Sequence, residues 1–152
     1  AMHSYLETYL QGGKLLDLRD VGREASGMAQ TIIDKGFGDL EEVWGSEVTL
    51  YYPNLYAGAT DLCGIYQGRE SIIDFKQTNK PKKAEWIDDY KLQIIAYAMA
   101  HNCVYNTDID QGVILMTTPD NFFQKFTING AEFRTFKWKW LDRIDQYYKS
   151  IE

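Results

Sequence analysis

The chain has 152 residues, 45% of them hydrophobic and 14% aromatic, with a formal charge of −6 at pH 7. That length suits a single domain, 1–152, with enough apolar content for a packed core. The acidic balance argues against a protein that coats nucleic acid non-specifically, and no run of 18 apolar residues is present to cross a membrane.

No basic segment followed by an apolar stretch opens the chain, so no secretory signal is expected, and the expected location is intracellular and cytoplasmic. Cys63 and Cys103 stand far apart with no CxxC spacing. Two such residues cannot hold an iron–sulfur cluster or, alone, a zinc ion. Both are expected as buried free thiols of a reducing compartment.

In chain order, a helix is expected from His3 to Leu10, stopped by Gln11-Gly12-Gly13. A second covers Arg23 to Lys35, with Met28, Ile32 and Ile33 as its apolar stripe and Gly36 as its cap. Glu47 to Tyr52 is rich in strand-forming residues and ends at Pro53-Asn54. Tyr56 to Tyr66 and Glu70 to Thr78 flank Gln67-Gly68 and read as a hairpin. Pro81 to Glu85 is a basic loop before a helix from Trp86 to His101. GVILMT, from Gly112 to Thr117, is continuously apolar, as in a strand covered on both faces. Pro119-Asp120-Asn121 turns into a strand from Phe122 to Ile128, and Glu132 to Ile151 is the closing helix. The order α-α-β-β-β-α-β-β-α predicts an α/β sheet flanked by helices.

Within this pattern IIDFKQT, from Ile72 to Thr78, places Asp74 and Lys76 inside a strand that should be buried. The two-residue period puts both charges on one face, with Ile73 and Phe75 on the other. A turn centred between Gln67 and Gly68 sets Asp61 directly opposite Asp74, with Cβ atoms about 4.5–5.5 Å apart. Facing carboxylates destabilise a sheet unless something neutralises them. A divalent cation such as Mg²⁺ or Mn²⁺ would do so; a salt bridge from Lys76 to one aspartate is the simpler alternative.

AGATDLCG followed by IIDFK resembles the PD-(D/E)xK nuclease superfamily, whose core hairpin carries Asp…(Asp/Glu)-x-Lys, here Asp61, Asp74 and Lys76. Gln93-x-x-x-Tyr97 in LQIIAYA resembles the QxxxY motif of its RecB-like branch, and the i, i+4 spacing puts both residues on one helix face, joined by Tyr90. MHSYLETYL resembles the first helix of that branch, with His3 at the position of a metal-binding histidine and Glu7 on the same face. Glu47 stands where such domains often carry a glutamate ahead of the hairpin.

The resemblance implies a restriction-endonuclease-like core with a central mixed sheet of about five strands. It implies that Asp61, Asp74, His3 and the backbone carbonyl of Phe75 hold Mg²⁺ or Mn²⁺, with no iron–sulfur cluster. Lys76 would position water or offset phosphate charge, and Gln93 and Tyr97 would contact the DNA backbone or brace the lysine. Lys80, Lys82 and Lys83 follow the catalytic strand and are placed to attract phosphates; Trp86 or Tyr90 could stack on an unpaired base or serve the core. A second basic cluster, Arg134, Lys137, Lys139 and Arg143, reads as a solvated face.

The implied activity is that of a stand-alone DNA nuclease, similar to the phage-type and mitochondrial exonucleases of the branch, in DNA repair or recombination. Single strands or DNA ends are the expected partner, with a monomer sufficient and no membrane involved. A structure- or sequence-specific endonuclease, or a non-catalytic nucleic-acid-binding domain, are the alternatives on the same fold.

Overall fold

Ile72 and Ile73 are neighbours in sequence, are both fully buried, and belong to different apolar clusters. A strand that buries both faces must lie between two layers. The computed structural model, which describes residues 2–10, 23–52 and 56–151, has this arrangement. The chain runs α1 (Met2–Leu10), α2 (Arg23–Gly36), β1 (Leu40–Tyr52), β2 (Tyr56–Tyr66), β3 (Arg69–Gln77), α3 (Asp88–Tyr105), β4 (Gln111–Thr117), β5 (Phe123–Ile128) and α4 (Gly130–Ser150). The order is the expected one. The Gln11-Gly12-Gly13 stop and the Pro53-Asn54 turn lie outside the described residues.

The five strands form one mixed sheet in the order β1-β2-β3-β4-β5. β3 and β4 run parallel, with α3 as their crossover, and the other neighbours are antiparallel. Ile72, Ile114 and Met116 pack under α3 and α4 with Ile94, Ile95 and Phe136. Ile73, Phe75, Val113 and Leu115 pack under α1 and α2 with Leu6, Met28 and Ile32. Every residue of β4 is buried, as its unbroken apolar run requires. At Gly112 an added Cβ would collide with Ile94 Cγ2, so this glycine lets α3 lie close on the sheet.

The β2–β3 register is the expected one, running from Tyr66↔Arg69 to Leu62↔Ile73. Gln67 and Gly68 both have positive φ, 50° and 74°, as a two-residue primed hairpin turn needs. Gln67 is held there by Asp39, whose carbonyl accepts its backbone N–H at 2.9 Å and whose carboxylate accepts its side-chain amide at 3.0 Å.

Three boundaries differ from expectation. β1 starts at Leu40 rather than Glu47, because its first half is an exposed edge with irregular register between Leu40 and Glu42 and between Val43 and Gly45. Those irregularities break the alternation that marks a strand in sequence. α3 starts at Asp88, since Ala84–Trp86 forms a separate 3₁₀ turn, and it continues to Tyr105, where Asn106 turns left-handed at φ 54°. α4 starts at Gly130 rather than Glu132.

The expectation for the cysteines is half corrected. Cys63 is buried, which pushes its thiol up to about 11, but Cys103 is exposed near the end of α3. α3 and α4 are also tied by a buried charge: Lys91 pairs with Glu132 at 3.2 Å and lies over the Phe136 ring. Among the described residues, no helix is long and apolar enough to cross a membrane.

Candidate active site

One step beyond Leu62↔Ile73, the hairpin brings Asp61 and Asp74 together on the α3 side of the sheet. Asp74 is buried and Asp61 half-buried. Asp61 Oδ2 accepts the backbone N–H of Phe75 at 2.9 Å. From α1, His3 Nε2 reaches the Phe75 carbonyl at 2.8 Å and lies 3.5 Å from Asp61 Oδ2. A side chain near the start of the chain thus meets both strands of the hairpin.

Lys76 emerges on the same face as Asp74. Its ammonium is 2.9 Å from Asp74 Oδ2 and donates to Gln93 Oε1 at 3.1 Å. Gln93 Nε2 donates onward to the Tyr97 hydroxyl at 2.9 Å, and the Lys76 ammonium sits 4.7 Å from the Tyr90 ring centre. The helical spacing of Tyr90, Gln93 and Tyr97 places all three toward the lysine. Tyr97 can approach β2 because position 58 is glycine: a Cβ there would lie 2.8 Å from Tyr97 Cε1.

The electrostatics of the two aspartates are opposed. Burial, reinforced by the facing Asp61, pushes Asp74 up to about 7 against the pull of Lys76. Burial acts to raise Asp61 as well, but hydrogen bonds from His3, Asp74 and the Phe75 N–H outweigh it and hold Asp61 down at about 2. His3 is raised above its usual value, first by its hydrogen bond to Asp61. Glu47 is raised by burial and then by the charges of Asp61 and Glu7, so both glutamates border the same acidic spot.

Asp74 Oδ2 is buried and has no aligned hydrogen bond; the close Lys76 contact is an ion pair without hydrogen-bond geometry. A buried carboxylate oxygen in that state, facing a second carboxylate, fits a hard cation with oxygen ligands. Phe75 O and His3 Nε2 adjoin it, though they are spent on each other. Correspondingly, among the described residues no three of His, Cys, Asp or Glu converge as a ready-made metal site.

The lysine loop divides. Lys80 and Lys82 line a cleft of about 610 Å³ with Gln77, Thr78, Tyr90 and Pro119, next to the end of β3. Lys82 is pinned by two backbone hydrogen bonds with the Gln124 amide, at 2.9 and 2.8 Å. Lys83 instead turns to Trp86, 5.2 Å from its ring centre, and Trp86 is exposed rather than part of the core. Arg143 of the second basic cluster pairs with Asp89 at 3.6 Å across the start of α3. It borders a groove with Trp140, and neither was predicted for the site. Nothing local in the sequence signals this, because the groove exists only where two helices pack.

No protein-family model matches the chain. It is 30% identical over 150 residues to the human mitochondrial genome maintenance exonuclease 1, covering 95% of this chain and 43% of that protein. It is 29% identical over 119 residues to the Xenopus tropicalis protein of the same name, covering 75% of this chain and 34% of that one. The chain therefore spans less than half the length of these relatives. Among solved structures, a candidate exonuclease from Eubacterium rectale superposes with a TM-score of 0.62 at 11% identity, covering 99% of this chain and 64% of that one, a likeness of fold.

Proposed function

The chain belongs to the PD-(D/E)xK nuclease superfamily, and from that premise we propose that it is a Mg²⁺- or Mn²⁺-dependent deoxyribonuclease acting as an exonuclease on single strands or DNA ends. The observation that carries this reading is the buried Asp74 oxygen without an aligned hydrogen bond, faced by Asp61 and flanked by Lys76. An ordinary structural ion pair would not need a second, half-buried carboxylate beside it, whose repulsion costs stability.

Asp61 and Asp74 would hold the cation, with His3 and the Phe75 carbonyl as further donors beside them. The cation supplies Lewis-acid activation of water and phosphate. Lys76, steered by Gln93 and Tyr97, presents its ammonium to the phosphate oxygen on which charge builds up, or orients the attacking water. The hydrogen-bond chain from Tyr97 through Gln93 limits where that ammonium can go. Lys80 and Lys82 draw the neighbouring phosphates into the cleft beside it, so an acidic protein binds DNA through a local positive surface.

The test is digestion of end-labelled single-stranded DNA with Mn²⁺, Mg²⁺ or EDTA, beside Asp74→Ala and Lys76→Ala. Cleavage by the unsubstituted chain alone, and only with metal, is expected; no cleavage of any DNA with either metal overturns the reading. Nicking of closed circles would replace the exonuclease by an endonuclease.

A further inference from the structure

A groove of about 510 Å³ runs between α3 and α4, starting at the active site. Tyr90, Tyr97 and Trp140 form its aromatic walls, and Leu92 and Ala96 its floor. All three aromatics are half-buried, so each keeps ring surface accessible. At the mouth stands Arg143, solvent-exposed and only loosely paired with Asp89 at 3.6 Å.

Its position is the informative feature. Gln93 and Tyr97 line the groove and also hold Lys76, and Tyr90 stands between this groove and the lysine cleft. A strand whose phosphate lies at Lys76 therefore has a cationic cleft on one side and an aromatic, apolar groove on the other. Phosphates suit the first. The second offers flat walls, an apolar floor and a cation at its rim, which suit a flat heterocycle carrying a phosphate. A base paired in a duplex stays stacked in the helix and cannot enter, whereas an unpaired base can.

Building on the nuclease reading, we propose that the α3–α4 groove is a nucleobase subsite, in which a base beside the cleaved bond stacks on Trp140 and the tyrosines while Arg143 contacts its phosphate. Substrates are thereby selected for an unpaired base next to the scissile phosphate.

The experiment uses a single-stranded oligonucleotide carrying 2-aminopurine, bound to a cleavage-dead Asp74→Asn chain. Binding should quench the 2-aminopurine fluorescence. Adding Trp140→Leu should abolish the quench and weaken binding roughly tenfold, and Trp140→Phe should restore both. A matched oligonucleotide with abasic positions should bind the Asp74→Asn chain roughly tenfold more weakly than the intact one. Arg143→Ala, on the surface and safe for folding, should lower the salt dependence of binding by about one phosphate contact. Absence of quenching, or quenching unchanged in Trp140→Leu, overturns the subsite. Metal-dependent cleavage by the unsubstituted chain is scored separately. Quenching without any cleavage would remove the nuclease reading and leave a base-binding site, while cleavage without quenching would remove the subsite alone.

Discussion

Asp61 Oδ2 accepts the backbone N–H of Phe75 at 2.9 Å, just past the last ladder pair of the hairpin, Leu62↔Ile73. The same carboxylate thus serves the sheet and the acidic site, and two substitutions separate these roles. Asp61→Asn keeps an oxygen for the Phe75 N–H while removing the charge. It should stay folded and more stable than Asp61→Ala, yet lose cleavage by more than the about 10–100-fold typical of groups that only orient metal ligands. Asp61→Ala should lose cleavage equally and also be less stable by about 1–3 kcal/mol in urea denaturation, because the N–H is left without its partner.

The pH dependence of stability without metal follows from opposed shifts. Asp74 is raised from 3.8 to about 7, so its folded state favours the proton. Its contribution is complete below about pH 4 and is lost as pH rises through about 7. Asp61 is lowered from 3.8 to about 2, so its contribution is present above about pH 4 and is lost only as pH falls toward 2. His3, raised above 6.5, adds stability that is complete below that value and lost above its raised one. In EDTA, Tm should therefore fall between about pH 4 and 7, and this fall should flatten in Asp74→Asn. Mn²⁺ competes with the proton and should raise Tm more at about pH 8 than at pH 5. Thermal denaturation across pH, with and without Mn²⁺, measures this; a Tm that rises from pH 4 to 7 in EDTA would contradict it.

Lys76 is held between Asp74, Gln93 and the Tyr90 ring by a compact ammonium. Lys76→Arg should not rescue activity, since a planar fork cannot occupy the same point. Both Lys76→Arg and Lys76→Ala should lower kcat far more than they raise KM, as measured on end-labelled single strands. Equal activity of the arginine variant would show that only charge, not its placement, matters.

Gly58 and Tyr97 are coupled by space. Gly58→Ala would put a Cβ 2.8 Å from Tyr97 Cε1 and dislodge the ring that receives the Gln93 amide. The substitution should slow cleavage in the parent but cost little in a Tyr97→Ala background, where the collision is gone. A double-mutant cycle on kcat reads this directly, and strict additivity would count against the contact.

Tyr66 offers a purely structural control. Its buried hydroxyl donates to the Gly36 carbonyl at 2.6 Å, fastening the end of α2 to the sheet. Tyr66→Phe should destabilise by about 1–3 kcal/mol in chemical denaturation by leaving that carbonyl unmet, with cleavage per folded molecule unchanged.

Strand β3 shows how far the sequence reaches. The two-residue period and a two-residue turn settle which side chains share a face, so the meeting of Asp61 with Asp74 was legible from spacing, as was the common helix face of Gln93 and Tyr97, whereas the approach of that face to Lys76 followed only from the family resemblance. These are local rules, set by pleat and helix geometry within one element or one hairpin. The first half of β1 was not legible, because its irregular register hides the alternation.

The sequence by itself therefore determined the order of elements, the faces of β3 and α3, and the membership of the acidic pair. Tertiary structure alone decided that Lys82 joins the cleft while Lys83 turns to Trp86, and that Trp140 and Tyr97 line one groove. Each of these contacts joins elements distant in sequence, and which of them touch depends on how whole helices seat against the sheet. No residue spacing encodes that seating, since it arises from the packing of both cores at once.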